Sequence, residues 1–197
     1  GAEADALLAC AGLALVDAKK RGPNRMELYH ADMKANATSG GQLEWVNILK
    51  HALNDPDKHL HLHYQPIVPL NGNVHEEYYE ALVRLEGRDG TIISAVKFIE
   101  AAEEFGLIGK LDFHVIGRAI HTLKYYHGLG RPIHLSVNLS AKTFEDEELF
   151  NHVETHLKEA NLPKGALVFE LTETALLRDL PKVKQVMGKL KAAGAGL

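Results

Sequence analysis

The chain has 197 residues, 46% of them hydrophobic and 24% charged, a balance that excludes a disordered protein and supplies apolar material for a packed core. Its formal net charge of -4 excludes the basic field needed to grip a nucleic acid polymer, so any nucleotide ligand has to be small and locally bound. No run approaches the roughly 20 apolar residues that span a bilayer, and the start lacks a secretory signal pattern, so a cytoplasmic setting is expected, with room for a membrane anchor upstream.

Small apolar residues recur at helical spacing over residues 5–20, with the single cysteine, Cys10, expected among them as a small buried hydrophobe of a reducing compartment. Lys19, Lys20 and Arg21 crowd the end of this helix, where positive charge suits the dipole, and Gly22 and Pro23 stop it. Residues 26–29 fit a short strand. The polar stretch that follows, with Asn36, Thr38, Ser39, Gly40 and Gly41, has the composition of a linker. It divides the chain into a first segment over residues 1–32, a linker over 33–41 and a second domain over 42–197. That domain opens with an amphipathic helix over residues 42–53, whose Leu43, Val46, Leu49 and Leu53 fall near one side.

Beyond Asn54, strands over residues 60–68, 78–85, 133–139 and 166–171 alternate with helices over 95–104, 111–129, 147–160 and 181–193. This alternation predicts a mainly parallel sheet covered by helices. A closed eight-stranded (β/α) barrel takes about 250 residues, so four strands correspond to about half of one.

Glu80 in YYEALVRL, Asn138 in IHLSVNLS and Glu170 in LVFELTET lie on or at the ends of three of these strands. In a barrel the carboxyl ends of the strands converge on one mouth. Carboxylate and amide oxygens suit a hard divalent ion such as Mg²⁺, whereas a zinc site more often shows His or Cys. On spacing alone a second account stands beside this one, in which Asn138 caps the following segment and the glutamates pair with nearby Arg or Lys.

The ordered segments YQPIVPL from Tyr64, EALVRL over residues 80–85, FIEAAEEFGLIGKLD from Phe98, SVNLSAKTF and FELTET resemble the EAL domain family from about Gly41 onward. The resemblance implies a modified (β/α)₈ barrel that hydrolyses cyclic di-GMP to linear pGpG with Mg²⁺ or Mn²⁺ in bacterial second-messenger signalling. It implies metal ligation by Glu80, Asn138 and Glu170, substrate contacts from Gln65 and Arg84, and a supporting role for Glu173 beside a loop near the metals. A homodimer through this domain is also implied, and a non-catalytic cyclic di-GMP receptor or a pure interaction module is the alternative. Leu85, where the family has an aromatic residue, and Ala95, where proline is common, depart from the pattern as local packing changes. The sequence ends at AAGAGL, before the position of the family's Asp-Asp-Phe-Gly motif and later catalytic lysine. The general base is therefore expected beyond Leu197, and this segment by itself is expected not to turn over substrate.

The opening ADALLACAGLALVDAKKRGPNRMELY resembles the closing helix and strand of a GGDEF domain, with Gly12 and Val16 departing from common choices, which implies GGDEF and sensor domains upstream. His59, His61 and His63 alternate with leucine and would share a strand face with Gln65. A partly exposed, histidine-rich strand edge is the favoured account of them, ahead of a transition-metal patch. His114, His121 and His127 are expected at the surface or an interface, and the acidic run over residues 145–148 as a solvated helix start.

Overall fold

The computed structural model describes residues 7, 10–12, 14–15, 18, 24–29, 38–70, 76–87, 89–144, 146–171 and 180–197. The chain divides into two compact units, 1–48 and 49–197.

In the first unit the described residues between 7 and 18 are helical, with Ala14 and Ala18 buried. Cys10 is only half-buried and shares a hydrogen bond with Tyr29, which helps push the tyrosine hydroxyl up from its ordinary pKa after the effect of desolvation. Residues 25–29 form no strand, and among the described residues no strand pairs with them. Helix α1 spans Thr38–Asn54, so helical structure begins before Gln42 and takes in Thr38, Ser39, Gly40 and Gly41.

The second unit is built on a mixed sheet. A short helix α2 (Pro56–His59) leads into β1 (Leu60–Ile67), followed by β2 (Glu77–Glu86) and β3 (Ile92–Ser94). A 3₁₀ turn over Ala95–Lys97 precedes α3 (Ile99–Glu104) and the long α4 (Ile108–Gly128). Then come β4 (Ile133–Asn138), α5 (Ala141–Phe144), α6 (Glu147–Ala160), β5 (Leu167–Glu170) and α7 (Leu180–Ala192).

The sheet order is β1-β2-β4-β5, with β3 paired on β2. β2, β4 and β5 run parallel, but β1 and β3 are antiparallel to β2. The expectation of a mainly parallel sheet therefore fails on its β1 side. The physical reason is connection length: the residues between β1 and β2 are too few for a helical crossover, and a short connection returns the chain antiparallel. β3 escapes sequence reading because three residues carry too little pattern; its turn closes through Gly87 N–H to Thr91 O at 2.8 Å and Thr91 N–H to Asp89 Oδ1 at 3.1 Å. Beyond α7, Gly196 forms a parallel bridge with Val168 and extends the sheet on the β5 side.

On the parallel strands Ala81, Val83, Leu85, Leu135, Val137, Leu167 and Phe169 are buried on one face, which α4 covers at β4 and β5. The even-numbered residues between them face the other way. α4 offers Ile108, Leu111, Val115, Ile116, Ala119, Ile120 and Leu123 to this core, a stripe at intervals of three and four residues. Asp112 lies inside the stripe and is equally buried. Gly130 at φ 74° and Asn161 at φ 49° end α4 and α6 in the left-handed conformation that favours these residue types.

Candidate functional site

Strand register puts the candidate residues on one face of the sheet. Gln65 of β1 lies directly opposite Glu80 of β2, Glu80 is in register with Ser136 of β4, and Asn138 of β4 is in register with Glu170 of β5. Asn138 Nδ2 donates a hydrogen bond of 2.7 Å to Glu80 Oε1, joining residues 58 apart in sequence. Asn138 and Glu170 both line a cavity of about 600 Å³ at the carboxyl ends of the strands. Its remaining walls include Leu82, Val96, Ile99 and Ser140.

The account in which these residues cap and pair locally does not hold. The residue that caps α5 is Ser140, whose Oγ accepts from Thr143 N–H at 3.2 Å. Among the described residues neither Glu80 nor Glu170 has an Arg or Lys in ion-pair range. Arg84 stands farther along β2, opposite His61 and Ser94, and its Nη1 donates to the carbonyl of Val83 at 3.0 Å rather than to a carboxylate. Gln65 is exposed at the sheet edge. Glu173 lies outside the described residues.

The donor set fits a hard divalent cation on chemical grounds. It is made of carboxylate and carboxamide oxygens, and Asn138 spends its Nδ2 on Glu80, which leaves its Oδ1 as an acceptor. No group of three His, Cys, Asp or Glu side chains suited to a metal occurs among the described residues; the cluster depends on an asparagine. The histidines do not converge. His59 ends α2 rather than starting the strand, His61 Nε2 donates to Glu86 Oε2 at 2.7 Å, and His63 is exposed.

Two of the helix histidines, His114 and His127, are half-buried, and His121 is exposed. His127 Nε2 bonds the carbonyl of Ile133 at 2.9 Å and ties the end of α4 to the start of β4. His114 is partly buried, which pushes its imidazole pKa down. Both are connected to backbone carbonyls, a role that helical spacing does not announce.

Sequence reading also passed over Asp112 and Ser136. Ser136 is buried on the face that carries Glu80, and its Oγ has no hydrogen-bond partner among the described residues. Asp112 Oδ2 accepts from Ser140 N–H at 3.1 Å, and burial is the main cause of a carboxyl pKa raised above its usual range. A carboxylate inside an otherwise apolar helical stripe was the available signal for Asp112. Ser136 carried none.

Residues 46–197 match the EAL domain family. Over its whole length the chain is 33% identical to a cyclic di-GMP phosphodiesterase of Pseudomonas aeruginosa, NbdA, and covers 25% of that protein. Over 97% of its length it is 27% identical to the cyclic di-GMP phosphodiesterase PdeB of Shewanella oneidensis, covering 22% of it. The chain thus spans about a quarter of the length of these curated relatives. Among solved structures it is similar to the FimX EAL domain of Pseudomonas aeruginosa bound to cyclic di-GMP, with a TM-score of 0.68 and 32% identity over 77% of this chain and 60% of that one. The MucR phosphodiesterase in complex with cyclic di-GMP gives a TM-score of 0.62 and 29% identity over 70% of this chain and 57% of the other. The half-barrel arrangement of strands and the family match together establish that this chain belongs to the EAL domain family, whose fold is of the TIM-barrel type.

Proposed function

We infer that this chain forms the ligand-binding side of a phosphodiesterase that hydrolyses cyclic di-GMP to linear pGpG. The observation that carries the reading is the hydrogen bond from Asn138 to Glu80, with Glu170 in register with Asn138 on the adjacent strand. Phosphodiesterases of the EAL family are metal-dependent, and the all-oxygen donor set favours Mg²⁺ or Mn²⁺. Glu80, Asn138 and Glu170 would hold such an ion, which supplies charge neutralisation at the scissile phosphate and lowers the pKa of an attacking water.

The chain's own residues then divide the remaining work. Arg84, with no carboxylate partner among the described residues, is free to meet a phosphate oxygen, for which a planar guanidinium is well shaped. Gln65, opposite Glu80, offers an amide that can both donate and accept at the sheet edge. The apolar walls from Leu82, Val96 and Ile99 suit the flat face of a base and exclude water around it. Glu173 is proposed to steady a loop beside the site. Cytoplasmic location, a homodimer through this domain and GGDEF and sensor segments upstream belong to the same reading.

The test is Glu80→Ala in the full-length protein that carries this chain. Hydrolysis of cyclic di-GMP in Mg²⁺ or Mn²⁺ buffer is expected to be abolished while the circular dichroism spectrum and melting curve stay those of a folded protein. Unchanged turnover would remove Glu80 from the site. Tight cyclic di-GMP binding without turnover by the unsubstituted protein would make it a receptor instead.

A further inference from the structure

Asp112 occupies a position that the α4 stripe reserves for an apolar side chain, and only 6% of it is exposed. Burying a carboxylate is unfavourable unless it is hydrogen-bonded, so its partners indicate what it is there to hold. Ser140 N–H donates to Oδ2 at 3.1 Å, and the Thr143 hydroxyl bonds the same carboxylate. Ser140 Oγ donates in turn to Thr143 Oγ1 at 2.8 Å. All of these groups belong to the turn that follows Asn138. From the opposite side, Leu139 N–H donates to the carbonyl of Glu170 at 2.9 Å. The turn is pinned between α4 and β5, and Asn138 enters it with its amide already on Glu80.

We propose that Asp112 is a positioning residue of this site: its buried carboxylate anchors the turn over residues 140–143 to α4 and thereby sets the direction in which Asn138 presents its amide to Glu80. The proposal rests on the reading of Glu80, Asn138 and Glu170 as one site and adds to it a residue that acts through the turn at Ser140. An Asp112 that served only the packing of α4 would affect melting and nothing at Asn138.

The experiment uses the ¹⁵N-labelled chain with Asp112→Ala, Asp112→Asn and Thr143→Val. In Asp112→Ala the Ser140 amide is expected to exchange with solvent about tenfold faster or more, because a hydrogen bond to a charged acceptor is lost. The side-chain amide signals of Asn138 are expected to move with it. Asp112→Asn keeps an oxygen acceptor of the same size and is expected to hold both readouts near the unsubstituted chain. Thr143→Val removes one link only and is expected to give a smaller change in the same direction; it decides the matter if Asp112→Ala fails to fold. A lowered melting temperature with Asn138 signals unmoved in these variants overturns the positioning role. Separately, Mn²⁺ alone is expected to broaden the Asn138 side-chain signals of the unsubstituted chain. If it does not, the metal reading fails, and amide exchange still judges Asp112 on its own.

Discussion

Phe98 and Val96 stand two residues apart in one turn, both apolar, yet Phe98 is 0% exposed and Val96 is 88% exposed. Truncating Phe98 to alanine removes a fully enclosed ring from between the 3₁₀ turn and α3 and leaves a cavity that close-packed neighbours fill only in part; such changes cost about 3–5 kcal/mol. Val96→Ala takes methyl groups already in water and is expected to stay within about 0.5 kcal/mol. Urea unfolding followed by circular dichroism separates the two. With a slope of about 2 kcal/mol per molar, the Phe98→Ala midpoint should fall by roughly 1.5–2.5 M and that of Val96→Ala by less than about 0.3 M, at unchanged slope. Because small domains have only about 5–15 kcal/mol in total, Phe98→Ala should also begin to unfold without denaturant if the stability lies at the low end. Equal midpoint shifts for the two variants would refute the reasoning, since burial would then not be what distinguishes them.

Backbone conformation and charge give further expectations. Gly117 lies within α4 with open space at its missing Cβ, whereas Gly106, just past α3, has φ +70°. Gly117→Ala should stabilise by up to about 1 kcal/mol and Gly106→Ala destabilise by about 1–2 kcal/mol, and thermal melts showing the same sign for both would contradict this. The Arg131 guanidinium and then the Tyr79 hydroxyl hold the Glu77 carboxyl at about 2, below its ordinary 4.5. A lowered folded pKa means the contribution is present above about 4.5 and lost as pH falls toward 2. Melting curves of Arg131→Gln should therefore lie below those of the unsubstituted chain at neutral pH by a small margin, as for any exposed pair, and converge with them in acid; a gap that widens in acid would reverse the sign.

How far the sequence reaches can be judged from particular residues. The apolar periodicity of α4 and the alternation in β2 were readable because burial on one face imposes a period on the residues themselves. β3 was not, since a three-residue strand is held by its partner rather than by its own pattern. The antiparallel direction of β1 was hidden likewise, as direction is a property of pairing. Residue types and order alone determined that Glu80, Asn138 and Glu170 could serve hard-ion chemistry. What brought Asn138 Nδ2 within 2.7 Å of Glu80, set Gln65 across from Glu80 and gave Asp112 the turn at Ser140 to hold was the register of strands and the packing of α4. Contacts between residues far apart in the chain are fixed only when loop closure and core burial bring those strands together, and no local window of sequence contains that information.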